Sequence, residues 1–420
     1  MALDNNQILI IFDALAYILT FLYWCIKLRR FNVGLLLLLI MTISHVGCIF
    51  YYTVLKDLGL LEANLKVLPF VYLYLMIIIC LYPYLIHGGI KIIDDIGLKS
   101  SLMCLSVFII LLNIEPFLEN LLLLSSSNSD YSELYEDMRE GELNIYSSVG
   151  KKLMSWAHLF RIITPVLFFY FVQKNSRNRL VLFGLGLCII NQFLYWINIG
   201  ARGGILSQFF ILTLCFLLFY RMLPSNIINY IKKYGLLSII VGLIFFAGIT
   251  VSRYESGNSN KTIVGWLLLY SSEGPIRFNT EMWDGQHNTK GDVNLNYFKN
   301  MLGMKTYITY EDRDEYYLAK NGRRIEVFYT YIGDFVSDFD YIGGFLICLC
   351  LFVITTFLFR YSVVPVENVF LLLLFSHLYS IGFASNMYRS YGMQKEMLII
   401  VLLFFVCCSI RKWTIIKSLI

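Results

Sequence analysis

The sequence predicts an all-α polytopic membrane protein, and three observations carry that prediction. Hydrophobic residues make up 58% of the 420 and charged residues 15%, whereas a soluble domain is about a quarter charged. Mean hydropathy is +0.66. The apolar residues fall in runs of about 20, enough to cross a ~30 Å hydrocarbon core as helix, with polar turns between them.

Taken in order, the runs begin near Ile8, Val33, Val67, Leu102, His158, Leu180, Gly204, Gly235, Ile342, Val366 and Met397, which makes about eleven spans. Their basic flanks set the orientation. With the Arg29/Arg30 turn in the cytoplasm, fifteen of the 34 Lys and Arg fall inside. Ten of the remainder belong to one long insert that crosses whatever its charge. The amino terminus is then outside and the carboxyl terminus inside. Met1 to Gln7 has no positive n-region, so the first span is expected to stay in the mature chain.

Three regions follow: residues 1–252, with transmembrane helices 1–8 and a small outside loop at 125–157; residues 253–341, one large outside loop; and residues 342–420, with helices 9–11. In the large loop, IVGWLLLYSS is too short to span and reads as an interfacial or re-entrant helix. The turn-rich stretch from Asn279 to Asn296 suits a solvent-facing or sugar-facing loop. All ten cysteines lie in apolar segments and read as small core residues. The net charge of +5 is spread over the turns, which gives no reason to expect nucleic acid.

Polar groups inside spans need a reason. Asp13, His45, Glu115, Glu119, His158, Asn191, Gln192, Asn198 and His377 lie in or at the ends of the apolar runs. Glu115 and Glu119 share a helix face that a helix end would explain, and His377 reads as a packed, hydrogen-bonded histidine.

Several chemistries lack their motifs. HExxH, GxSxG, a P-loop and GxGxxG with its acidic ribose binder are all absent. Asp312-Arg313-Asp314 is a DxD, but it lies within the charge run EDRDE and reads as a solvated run, so no metal or other cofactor is expected. What remains is a set of outside arginines. Arg202 sits in the turn NIGARGG, whose glycines let backbone approach an anion closely. Arg253, Arg277, Arg323, Arg324 and Arg389 lie on the same face of the membrane. Guanidinium groups suit bidentate phosphate recognition, so the set points to a diphosphate site, with headgroup snorkelling as the alternative for each.

The ARGG turn, the segment LLLYSSEGPIRFN, and above all VFYTYIGDFVSDFDYIGGFL (Val327 to Leu346) resemble the oligosaccharide repeat-unit polymerases, the O-antigen polymerase (Wzy-type) family. The chain departs from the family pattern at Ser272-Glu273-Gly274-Pro275, with an extra Glu, and at Asp340, where a Gly is usual. The resemblance implies a GT-C-like helical fold in the bacterial inner membrane. It implies metal-independent glycosyl transfer at the periplasmic face, from an undecaprenyl-diphosphate-linked chain to a hydroxyl of a new lipid-linked repeat. Membrane lipid and a chain-length regulator protein are the implied partners. Arg202, Arg277, Arg389 and Arg253 would then hold the diphosphate. Asp338, followed by Glu273 and His287, would supply the base. Tyr329, Tyr331, Trp283 and Tyr297 would stack on sugar rings. An O-antigen ligase would share this layout, and a polysaccharide-lipid flippase or transporter is the non-enzyme alternative, expected to show broken helices.

Overall fold

A computed structural model of the chain describes residues 4–57, 64–87, 91–92, 96–126, 146–174, 178–235, 263–284, 289–304, 315, 319, 328–360 and 363–419. Among these, eight helices are long and apolar enough to cross a membrane, or nine if one bent pair counts as a single span. The protein is therefore a helical, multi-pass membrane protein. The apolar run beginning at Gly235 lies outside the described residues.

The helices gather into two compact units, each assembled from separate stretches of chain. The first comprises Met1–Gly88, Asn260–Arg360 and Leu378–Gln394. It opens with α1 (Asn5–Leu28), which starts on a capping box: Asp4 accepts from the Gln7 amide at 2.7 Å while the Gln7 side chain accepts from the Asp4 amide at 3.2 Å. α2 (Val33–Asp57) packs on α1 and on α3 (Val67–Ile86). Deep in α1 and α2, Asp13 Oδ2 lies 2.5 Å from His45 Nδ1. Two isolated intramembrane polar groups thereby become one hydrogen-bonded pair.

Residues 263–277 form α9 (Ile263–Arg277), whose continuation Phe278–Met282 is a π-helical turn. α9 packs on α2, and contact is close enough that a Cβ on Gly274 would overlap the Phe383 carbonyl oxygen. The side chain of Asn279 then acts as a backbone surrogate: it accepts from the Lys66 amide at 2.9 Å and donates to the Lys66 carbonyl at 2.7 Å, docking the start of α3. α10 (Asn296–Met301) follows. α11 (Thr330–Leu358) packs on α3. It is interrupted at Asp340, whose φ of 63° and ψ of 178° belong to a region essentially reserved for glycine. The remaining 341–358 stretch, about 27 Å long, suffices to span by itself.

The second unit comprises Gly89–Ser259, Tyr361–His377 and Lys395–Ile420. Its helices are α4 (Ile96–Ser126), α5 (Ser148–Leu159), α6 (Ile163–Gln173), α7 (Arg179–Asn198) and α8 (Arg202–Phe219). Residues 366–377 of α12 (Val366–Ser380) and 395–419 of α13 (Tyr391–Leu419) complete it. Lys91–Ile92 and Val363–Val364 pair as a two-residue parallel ladder. α5 and α6 form the bent pair, turning through 63° at Phe160–Ile162. Glu115 and Glu119 on α4 meet the first turn of α5 through the hydroxyl and amide of Ser147. Carboxylates at a helix amino terminus complement its partial positive charge. α4 and α7 are laced by amides: Asn120 donates to Asn191 at 2.8 Å, Asn191 to Asn113 at 2.8 Å, and Asn198 to Asn120 at 2.9 Å.

Candidate functional site

Within the first unit, the two segments that carry the family resemblance lie against each other. The Gly274 backbone faces Thr330, and Tyr329 donates to Glu281 Oε2 at 2.9 Å. Helical spacing puts Glu273, Arg277 and Glu281 on one stripe of α9 and its π-turn. The Arg277 guanidinium donates to Glu273 at 3.1 Å through Nε and to Glu281 through Nη1. Tyr51 of α2 donates to the same Glu273 oxygen at 3.2 Å. Burial pushes the Glu273 carboxyl above the ordinary carboxylate range, and Arg277 offsets only part of that rise. For Arg277, burial works against the charge, but Glu281 and Glu273 outweigh it and raise the guanidinium further. Arg277 is thus held between two carboxylates, with less positive field to offer a diphosphate than an isolated arginine.

A second cluster forms around the start of α11. Asp338 is buried, and both its oxygens are occupied: Oδ1 accepts from Thr289 Oγ1 and from the Val293 amide at 2.9 Å, Oδ2 from the Asn294 amide at 2.7 Å and its side chain at 2.6 Å. Four donors on one carboxylate organise the 289–294 loop. Asp334 accepts from the Asn386 amide at 2.6 Å and lies 3.7 Å from Arg389 Nη1. Asn294 ties the two acids together, donating also to the Asp334 carbonyl at 2.8 Å and accepting from the Asn386 amide group. The segment is bracketed by two non-glycine residues at positive φ, Thr330 at 67° and Asp340 at 63°. For a β-branched residue in particular that is costly backbone, the kind that collects at functional sites.

The polar stretch at 289–296 consequently differs from a solvent-facing loop: Thr289, Asp292, Asn294 and Asn296 are buried. The reason is the Asp338 carboxylate, which draws the loop's amides inward.

Among the aromatic residues, Trp283 is half-buried and joins Tyr72, Phe278 and Tyr341 in one cluster, its centroid 4.4 Å from that of Tyr341. Tyr297 lies edge-on to Tyr391 at 4.8 Å. Tyr329 is buried. Tyr331 is wholly buried against Phe335 and Tyr379, so its ring packs other protein rings.

Arg202 belongs to the second unit, where it begins α8 after the turn at Gly200, which has φ of 61°. Arg253, His287, the Asp312–Asp314 run, Arg323 and Arg324 lie outside the described residues. The first unit therefore brings together Glu273, Arg277 and Tyr329 in one cluster and Asp338 with Asp334 and Arg389 in another.

Sequence reasoning passed over the most deeply buried charge of the second unit. Arg161, at the bend between α5 and α6, is the largest fully buried side chain in the described residues. Its guanidinium donates to Glu396 of α13 through two nitrogens and to Ser207 Oγ of α8 at 3.1 Å. Ser207 Oγ in turn lies 2.9 Å from His377 Nε2. The available signal was one arginine in the otherwise apolar run LFRIITPVLFF.

Comparison with protein-family models finds no match, and comparisons with curated protein sequences and with solved structures find none either.

Proposed function

We propose that the chain polymerises lipid-linked oligosaccharide repeat units for a surface polysaccharide, by metal-independent glycosyl transfer from a polyprenyl-diphosphate donor. The observation that carries this reading is the packing of SSEGPIRFN on TYIGDFVSDFD, which brings a buried glutamate, Arg277 and an aromatic cluster into one unit. In this reading the enzyme sits in the bacterial inner membrane with eleven spans, the amino terminus outside, and the site faces the periplasm.

Glu273 is the foremost base under this reading. A carboxyl raised by burial accepts a proton from the attacking hydroxyl more readily than an ordinary one. Asp338 holds the loop beside it. In the first unit Arg389, beside the single acid Asp334, is the better diphosphate donor than Arg277, which two acids engage; in the second unit the candidate donor is Arg202. Trp283 and Tyr341 offer faces for a sugar ring. Ile78, Ile79 and Tyr82 of α3 with Phe345, Leu349 and Phe352 of α11 line an open apolar groove of about 230 Å³, where the carrier's hydrocarbon would lie.

The second reading is a flippase or transporter of the same lipid, favoured by the bent α5–α6 pair with a buried arginine at its break. Deleting the gene and displaying the surface glycan by gel separates the possibilities. A polymerase mutant retains single repeats outside and loses the ladder. Complete loss of glycan on the acceptor core indicates a ligase, and repeats trapped on the cytoplasmic side indicate a flippase; either outcome rejects the polymerase.

A further inference from the structure

The groove between α3 and α11 has two unlike ends. At the end nearer Asp340, Tyr72 donates to the Tyr341 carbonyl at 2.7 Å, and its hydroxyl lies 3.1 Å from where a Cβ on Gly344 would stand. The two helices touch there, and the groove is shut. Ten residues further along α3, about 15 Å, Tyr82 lines the other end. From Tyr82 a line of rings leads to a cation. Tyr82 packs on Phe352 of α11 with centroids 6.3 Å apart and, edge-on, on Trp24 of α1 at 6.1 Å. The Lys27 ammonium stands over the Trp24 ring at 4.6 Å and over the Tyr23 ring at 5.4 Å, and it donates to the Tyr23 hydroxyl at 3.3 Å. Arg29 and Arg30 follow at once, where α1 ends, and all three basic residues are exposed.

No acid offsets them locally. The chain carries no Asp or Glu between Asp13 and Asp57, none within α3, and none in α11 beyond Asp340. An occupant of the groove must satisfy its lining and this basic end together. Six uncharged side chains, three of them aromatic, enclose about 230 Å³, which takes part of one hydrocarbon chain. Trp and Tyr belong at the level where hydrocarbon gives way to headgroup, and Lys reaches past that level to phosphate. A free sugar phosphate has nothing to place in the groove. A lipid without net charge leaves the cations unused. In the polymerase reading the carrier's diphosphate lies toward the opposite end, from which the Tyr72 contact closes the groove.

We propose that the groove holds one acyl chain of an anionic glycerophospholipid whose phosphate is bound by Lys27, with Arg29 and Arg30 beside it. The site stands apart from the polymerase reading. A carrier chain that enters the same groove from the lipid side displaces this phospholipid.

Native mass spectrometry of the detergent-purified full chain, supplied with phosphatidylglycerol and phosphatidylcholine in equal amounts, tests the proposal. Wild type should keep one phosphatidylglycerol after phosphatidylcholine has been stripped. Lys27→Gln combined with Arg30→Gln should lower that retention on the order of tenfold. Leu349→Trp fills the groove from an exposed position and leaves every cation in place, so it should lower retention by a similar factor. Both variants should melt close to wild type, because the substituted side chains are exposed. Equal retention of the two lipids by wild type overturns the site without recourse to any variant. Undiminished phosphatidylglycerol on the double variant removes the headgroup contact, and on Leu349→Trp the chain contact; either overturns the proposal. None of these measurements reads polymerisation, so the site and the polymerase reading fail separately.

Discussion

Arg161 and Glu396 stand side by side in the second unit, joined through Nε at 3.3 Å and Nη2 at 3.0 Å, with neither side chain more than 1% exposed. Breaking such a pair from one side strands a charge, which commonly costs about 3–5 kcal/mol, whereas replacing both partners with apolar residues is often neutral. Arg161→Met should sharply lower the melting temperature of the detergent-purified protein. Adding Glu396→Leu should recover most of the loss. A single variant as stable as wild type would remove the pair from the account of stability.

Asp340 occupies backbone space that glycine enters without strain. Its side chain offsets part of the cost by accepting from the following amide at 2.7 Å. Asp340→Gly should therefore stabilise the protein by about 1 kcal/mol, read as a rise in melting temperature, while Asp340→Val should destabilise it. A fall on substitution by glycine would show that the carboxylate matters more than the turn.

At Gly274 the expectation has the opposite sign. A methyl group there meets the Phe383 carbonyl, which is backbone and cannot rotate away. Gly274→Ala should cost roughly 1–3 kcal/mol by forcing α9 outward, measured as reduced folded yield and a lowered melt. Gly203→Ala is the control, since nothing lies within 4 Å of a Cβ at that position.

Glu273 predicts a pH dependence. Burial raises its carboxyl in the folded protein above its value in the denatured chain. Its contribution to stability is therefore complete below the ordinary carboxylate range and is lost as pH rises through the raised value. Glu273→Gln removes that loss, so its melting temperature relative to wild type should improve from pH 4 to pH 8 (values of about this range bracket a raised carboxyl). A constant difference across that range would show that the folded and denatured carboxyls titrate alike.

Arg202 predicts an effect on chemistry without one on folding. In the polymerase reading its planar fork donates two parallel hydrogen bonds to the diphosphate, and lysine offers only a point charge. Arg202→Ala should lose about two to three orders of magnitude in polymerisation rate, and Arg202→Lys most of the activity, at normal protein levels. Arg221→Ala should be close to wild type. Full chain lengths from Arg202→Ala would remove that residue from the site.

The spans were legible because composition alone forces them: a run such as LIIVLLFFVCC has no alternative to hydrocarbon. Pairing between runs was not. Asp13 and His45 are visibly out of place in their helices, but nothing local announces that they meet 32 residues apart. Arg161 was harder, since it reads as one more basic residue near a turn until α8 and α13 close around it. The 289–296 loop misled for a physical reason. Polar, turn-rich residues resemble a solvent loop unless one knows that a buried carboxylate, Asp338, supplies the acceptors that water would otherwise provide. At Asp340 the residue type gave no sign of a backbone conformation that favours glycine.

The amide ladder between α4 and α7 has its rungs seven residues apart on each helix, at Asn113 and Asn120 and at Asn191 and Asn198. Seven residues are almost two whole turns, so the rungs recur on one seam. Sliding either helix by a single turn would strip several of these amides of their partners in a medium that supplies no substitute. The two helices must accordingly travel as a single girder. The bend at Arg161 between α5 and α6 is anchored instead to Ser207 of α8 and Glu396 of α13.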